Sequence, residues 1–112
     1  MAQYLLQVSY ATEGWAAMLK QPQDRQEAVR PAVEALGGKV QQFWMAFGEY
    51  DIIGIIDMPD SVSAAAFSMA IQGGGACKAV KTTPLLSVEE GVEAMRKATA
   101  CGYKPAKTAT AG

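Results

Sequence analysis

The chain has 112 residues, 50% hydrophobic and 19% charged, with ten basic and eleven acidic side chains and no histidine. That composition suits one globular domain and excludes a disordered, collagen-like or two-domain chain. Without histidine the commonest general base, zinc ligand and haem ligand are missing, and a net charge of −1 offers no basic surface to nucleic acid.

The charge is uneven. Residues 1–95 hold six basic and all eleven acidic residues, whereas 96–112 hold Arg96, Lys97, Lys104 and Lys107 with no acid. The body is acidic and has no basic stripe interleaved with aromatics, so the basic end reads as a solvated tail beyond a domain of residues 1–101. Cys77 and Cys101 lack CxxC spacing and are expected to be inert buried thiols rather than a disulfide pair or metal ligands. No apolar run has the length of a signal or a membrane span, and the cytoplasm is the expected compartment.

Tyr4-Leu5-Leu6-Gln7-Val8-Ser9-Tyr10 reads as a strand, with Tyr4, Leu6, Val8 and Tyr10 on one face and Gln7 and Ser9 on the other. Thr12 and Glu13 can open a helix over Trp15-Ala16-Ala17-Met18-Leu19, which Pro22 interrupts before the helical pattern resumes over Asp24–Leu36. Ala28, Ala32, Ala35 and Leu36 form its apolar stripe, Pro31 should kink it or shift its register, and Gly37-Gly38 supplies the stop. Lys39–Phe47 and Tyr50–Met58 are strand-like runs separated by Gly48-Glu49, which predicts a tight hairpin. In that register Phe43, Met45 and Phe47 lie beside Gly54, Ile52 and Tyr50 on the drier face, and Trp44 and Ala46 lie beside Ile53 and Asp51 on the other. Pro59 ends the strand, Asp60 or Ser61 caps a helix through Ala64–Ile71, and Gly73-Gly74-Gly75 terminates it. Cys77–Thr83 predicts a fourth strand, and Ser87 with Glu90 fits a capping box for a last helix to about Ala100.

The order βαββαβ, then α, predicts an α+β ferredoxin-like sandwich with both main helices on one face of an antiparallel sheet. The opposite face would carry Leu5, Trp44, Ile53 and Ile55 among Gln7, Ser9, Gln42 and Asp51, an apolar surface that needs a cover. A second copy is the simplest cover, sheet against sheet as in dimeric α/β barrels, and the enclosed volume is then the natural ligand cavity.

Phe47-Gly48-Glu49-Tyr50-Asp51 resembles the segment that names the GYD-domain family, small bacterial and archaeal proteins, with Gly48, Tyr50 and Asp51 as the three residues. Supporting blocks run from the opening strand through Leu36-Gly37-Gly38-Lys39 to Lys81-Thr82-Thr83 and Leu86-Ser87-Val88-Glu89-Glu90, about residues 1–97. The resemblance implies a ferredoxin-like fold of the dimeric α/β-barrel type and no established reaction, substrate or cofactor.

Each candidate residue has a structural and a functional reading. Gly48 is expected to serve the turn through a positive φ. Tyr50 either closes the hairpin by a hydrogen bond or contacts a ligand. Asp51 is the sharpest candidate: a carboxylate beside Trp44 and Ile53 would be partly desolvated and usable as an acid or base, or else it accepts turn N–H bonds. Trp44 suits an interface or a stacking wall. Lys78 and Lys81 suit an edge strand, while Lys81, or Arg25 at a cavity mouth, could hold an anion.

The leading functional expectation is a homo-oligomeric module, ligand-binding or non-catalytic, with a dimer as the simplest assembly and a small hydrophobic or anionic ligand. The alternative is a small cofactor-independent isomerase or oxygenase acting on a hydrophobic or aromatic compound between the sheets. Asp51 would then be the acid or base, Tyr50 and Lys81 the orienting groups and Trp44 the wall. No metal, cofactor, nucleic acid or membrane partner is expected.

Overall fold

In a computed structural model, which describes residues 1–106, the chain runs β1 (Ala2–Tyr10), α1 (Thr12–Lys20), α2 (Arg25–Ala35), β2 (Lys39–Met45), β3 (Ile52–Met58), α3 (Ser61–Gly73), β4 (Cys77–Leu85) and α4 (Val88–Ala100). The strands form one antiparallel sheet in the order β2-β3-β1-β4, the ferredoxin-like α+β arrangement. The two central strands carry the sharpest alternation of burial. Tyr4, Leu6, Val8 and Tyr10 of β1 and Ile52, Ile56 and Met58 of β3 turn to the helix side, where Val33 of α2 and Ala64 and Phe67 of α3 complete the core. This is the period-2 pattern read from the sequence, made physical by helices on one side only.

Local signals set the helix boundaries. The Asp24 carboxylate accepts the N–H groups of Gln26 and Glu27 at the start of α2, Asp60 accepts from Ser63 at the start of α3, and Ser87 and Glu90 close a reciprocal capping box on α4. The expected break at Pro22 lies between α1 and α2, whereas α2 runs through Pro31 as one helix. Gly37, at φ +83°, takes the left-handed turn that leads from α2 into β2. Strand β4 runs past its expected end through Pro84 to Leu85, which an edge strand tolerates because one side of its backbone has no ladder to complete. At the other end of β4 the Ala76 carbonyl accepts the Ala11 N–H at 2.9 Å, and a Cβ on Gly14 would lie only 2.3 Å from the same oxygen. Only glycine lets α1 approach the start of β4 so closely.

Several expectations are corrected. The hairpin keeps its expected register, with Phe43 opposite Gly54, Trp44 opposite Ile53 and Met45 opposite Ile52, but pairing stops there and residues 46–51 form a longer connection. The ladder ends early because Asp51 turns to β1: its N–H donates to the Val8 carbonyl at 2.8 Å. Gly48 therefore occupies no tight two-residue turn and has no positive φ, and a Cβ there would meet nothing within 4 Å. Met45 and Phe47 are exposed rather than dry, Phe47 fully: Met45 sits at the end of edge strand β2, where it borders an open hollow beside α1, and Phe47 lies beyond the strand in the connection. Cys101 is exposed at the end of α4 and Cys77 half-buried. Residues 102–106 are exposed, and the remainder of the expected tail lies outside the described residues.

Helix α4 differs from the other three. Its cap is complete, yet it has no buried residue and is not packed along any strand or helix of the body. Val88, Val92 and Met95 recur at helical spacing on one face, and all three are exposed.

Candidate functional site

The open face of the sheet is built by register. Trp44, Ile53, Gln7 and Lys81 form one row across the four strands, and Gln42, Ile55, Leu5 and Thr83 form the next. Leu5, Ile53 and Ile55 are half-buried by their neighbours alone, and Trp44 keeps 50% of its surface exposed on edge strand β2. At the opposite edge Lys81 Nζ lies 5.6 Å from the centre of the Tyr50 ring, and the Tyr50 hydroxyl raises the lysine's pKa above its ordinary value. Lys81 and Tyr50 thus stand together on the face that carries Trp44.

Asp51 stands at the end of the sheet. Its Oδ2 accepts the Tyr10 N–H at 2.9 Å, its own N–H reaches Val8, and its carbonyl accepts from Ala46 at 2.8 Å. Beside it, the Ser9 hydroxyl donates to the Glu49 carbonyl at 2.8 Å. The connection between β2 and β3 is therefore fastened to β1 by Asp51 and Ser9, which explains why the loop keeps its place without a tight turn. The carboxylate faces the β1 backbone instead of Trp44.

On the helix side of this sheet end, Tyr10, Arg25 and Cys77 converge at a cavity of about 50 Å3. Its inner walls are Leu6, Val8, Val29, Phe43, Ile52 and Ile71, contributed by five elements. A neighbouring hollow of about 110 Å3 shares Tyr10 and Arg25 and is closed by Gly14, Met18 and Ala76. Burial pushes the Tyr10 hydroxyl and the Cys77 thiol up from their ordinary pKa values; the positive Arg25 opposes that rise and the negative Asp51 adds to it. Arg25 donates to Gln23 Oε1 at 2.7 Å and forms no ion pair among the described residues, where Arg30–Glu27 and Arg96–Glu93 are the two pairs. Trp15 packs edge-on against Tyr10, with ring centres 5.4 Å apart, and fixes the phenol.

The candidates thus divide between two places. Trp44, Tyr50 and Lys81 share the open face, Arg25 lies on the helix side, and Asp51 bridges their common end through the backbone. Tyr10 and Cys77 were not singled out from the sequence as site residues. Tyr10 ends a run of core positions and reads as one more of them, and Cys77 becomes a neighbour of Arg25 only through the pairing of β4 with β1. Among the described residues, no group of three or more acids and cysteines is placed to hold a metal ion, and no helix is long and apolar enough to cross a membrane.

No curated protein and no solved structure matched the chain. The family model of the GYD domain matches residues 4–95, from the first core residue of β1 to the middle of α4. The match takes in all four strands, the Gly48-Glu49-Tyr50-Asp51 connection and the anchor from Asp51 to β1, and on that extent the chain belongs to the GYD-domain family.

Proposed function

We propose that the protein is a homo-oligomeric module, ligand-binding or non-catalytic in role, assembled through its open sheet face and most simply a dimer. The observation that carries this is the contiguous apolar row and its neighbour, Trp44 and Ile53 beside Ile55 and Leu5, left without a covering layer on the side opposite the helices. A sheet face of this composition is stable in water when a second layer removes it from solvent, and a symmetric copy supplies the same face in return. The exposed apolar side of α4 supports the same reading, since a capped helix with no packing on its own body has surface to give to another chain. Two free cysteines accord with a reducing, cytoplasmic setting.

The engagement of Asp51 favours this reading over the enzymatic one. The carboxylate oxygen that holds the Tyr10 N–H secures the sheet end and turns the group to the β1 backbone, which gives Asp51 a structural role that accounts for its position without chemistry. Light scattering on the purified chain tests the assembly: a dimer or higher mass at micromolar concentration is expected, and a monomer mass refutes it.

A further inference from the structure

We propose that the cavity between α2, α3 and the sheet takes a short aliphatic monocarboxylate, its tail among the apolar walls and its carboxylate on Arg25 with the Tyr10 hydroxyl donating to it. The inference rests on the ligand-binding half of the reading above and deepens it by naming the ligand class. It places the ligand inside one chain, on the side of the sheet opposite the assembly face.

Shape, polarity and charge each narrow the class. The cavity, about 50 Å3, is lined by apolar side chains apart from the Tyr10 hydroxyl, the Arg25 guanidinium and the Cys77 thiol. A void of that size holds a few carbon atoms and is well below the roughly 150 Å3 of an apolar cavity that accepts benzene, so aromatic acids are excluded from it. The guanidinium holds Gln23 and pairs with the Tyr10 hydroxyl, and its five N–H groups leave further donors in the planar fork that matches a carboxylate. The α2 N-terminus is not the attraction, because Asp24 already holds its N–H groups of Gln26 and Glu27. Arg25 is the one cationic side chain that lines the cavity, and a single positive charge balances a single negative one, which favours a monoanion. Cys77 stays a neutral thiol beside the tail, since burial outweighs the pull of Arg25 on it.

The test uses sodium butyrate, with butyramide, n-butylamine and sodium benzoate as controls, titrated into the full chain and followed by NMR chemical shifts. Saturable butyrate binding in about the millimolar range is expected for so small a ligand. Butyramide should bind about tenfold more weakly or worse, since it loses the charge-assisted bonds to Arg25, and butylamine and benzoate should not saturate. Arg25→Gln should cost a similar factor, and Ile71→Phe, which fills the cavity and leaves Arg25 in place, should abolish binding. In a Cys101→Ser background, butyrate should slow alkylation of Cys77 by iodoacetamide. Absence of saturation by about 100 mM butyrate, equal binding of butyramide, or unchanged binding in Arg25→Gln overturns the proposal. Light scattering on the same samples separates the two readings: a monomer that binds butyrate refutes assembly alone, and an oligomer that does not bind it refutes the ligand alone.

Discussion

Replacing Trp44 with alanine tests the assembly face most directly, because Trp44 is the largest side chain on it and half of its surface is open in the single chain. A tryptophan buries roughly 200 Å2 at an interface, so about 100 Å2 remains for a partner to cover, worth about 2.5 kcal/mol per protomer. A two-fold assembly presents the residue twice, which doubles the loss to about 5 kcal/mol. Buried area converts incompletely into affinity, so the dissociation constant should rise by at least about 100-fold. Trp15→Ala supplies the comparison, since Trp15 packs on Tyr10 at the helix side. It should lower the melting temperature and leave the dissociation constant nearly unchanged. Sedimentation equilibrium measures the constant and thermal melting the stability of each variant. Equal effects of the two substitutions on assembly would refute the assignment of the open face.

The remaining outcomes separate local roles. Gly48→Val should change stability by no more than about 0.5 kcal/mol in a denaturant titration, since φ is not positive and a new Cβ meets nothing within 4 Å. Asp51→Ala should cost about 1–3 kcal/mol by orphaning the Tyr10 N–H, whereas Asp51→Asn retains an acceptor oxygen and should recover most of it; equal losses in the two would refute the anchoring role. Val92→Asp on α4 should weaken assembly in sedimentation while leaving the thermal melt of the body nearly unchanged, because no residue of α4 is buried. The Asp60 and Glu90 carboxyls are held below their ordinary pKa by the N–H groups they accept at helix starts. Their contributions are present above the ordinary carboxylate range and are lost as the pH falls below that range through the folded values. Acid melts should therefore fall there, less steeply in Asp60→Asn, while Glu90→Gln should alter the circular dichroism of α4 and not the body's melting temperature.

The sequence by itself determined the elements, the faces of β1 and β3, the hairpin register as far as Met45 and Ile52, the cap at Ser87 and the start of α3 at Asp60 or Ser61, because these follow from short-range chemistry: side-chain alternation, φ restriction and hydrogen bonds spanning three residues. It also determined that Trp44, Leu5, Ile53 and Ile55 share one face, since the period of a strand is a local property. Only the tertiary structure decided what the Gly48-Glu49-Tyr50-Asp51 connection does. It is fastened to β1 by bonds from Asp51 to Val8 and Tyr10, some forty residues away in sequence, and no local turn preference encodes that anchorage. The same holds for the cavity. Arg25, Tyr10 and Cys77 begin or end three separate elements, and they meet because β4 pairs with β1 while α2 lies across the sheet. A sequence pattern states which way each side chain points within its own element. Which elements become neighbours is settled by burial of the whole core at once.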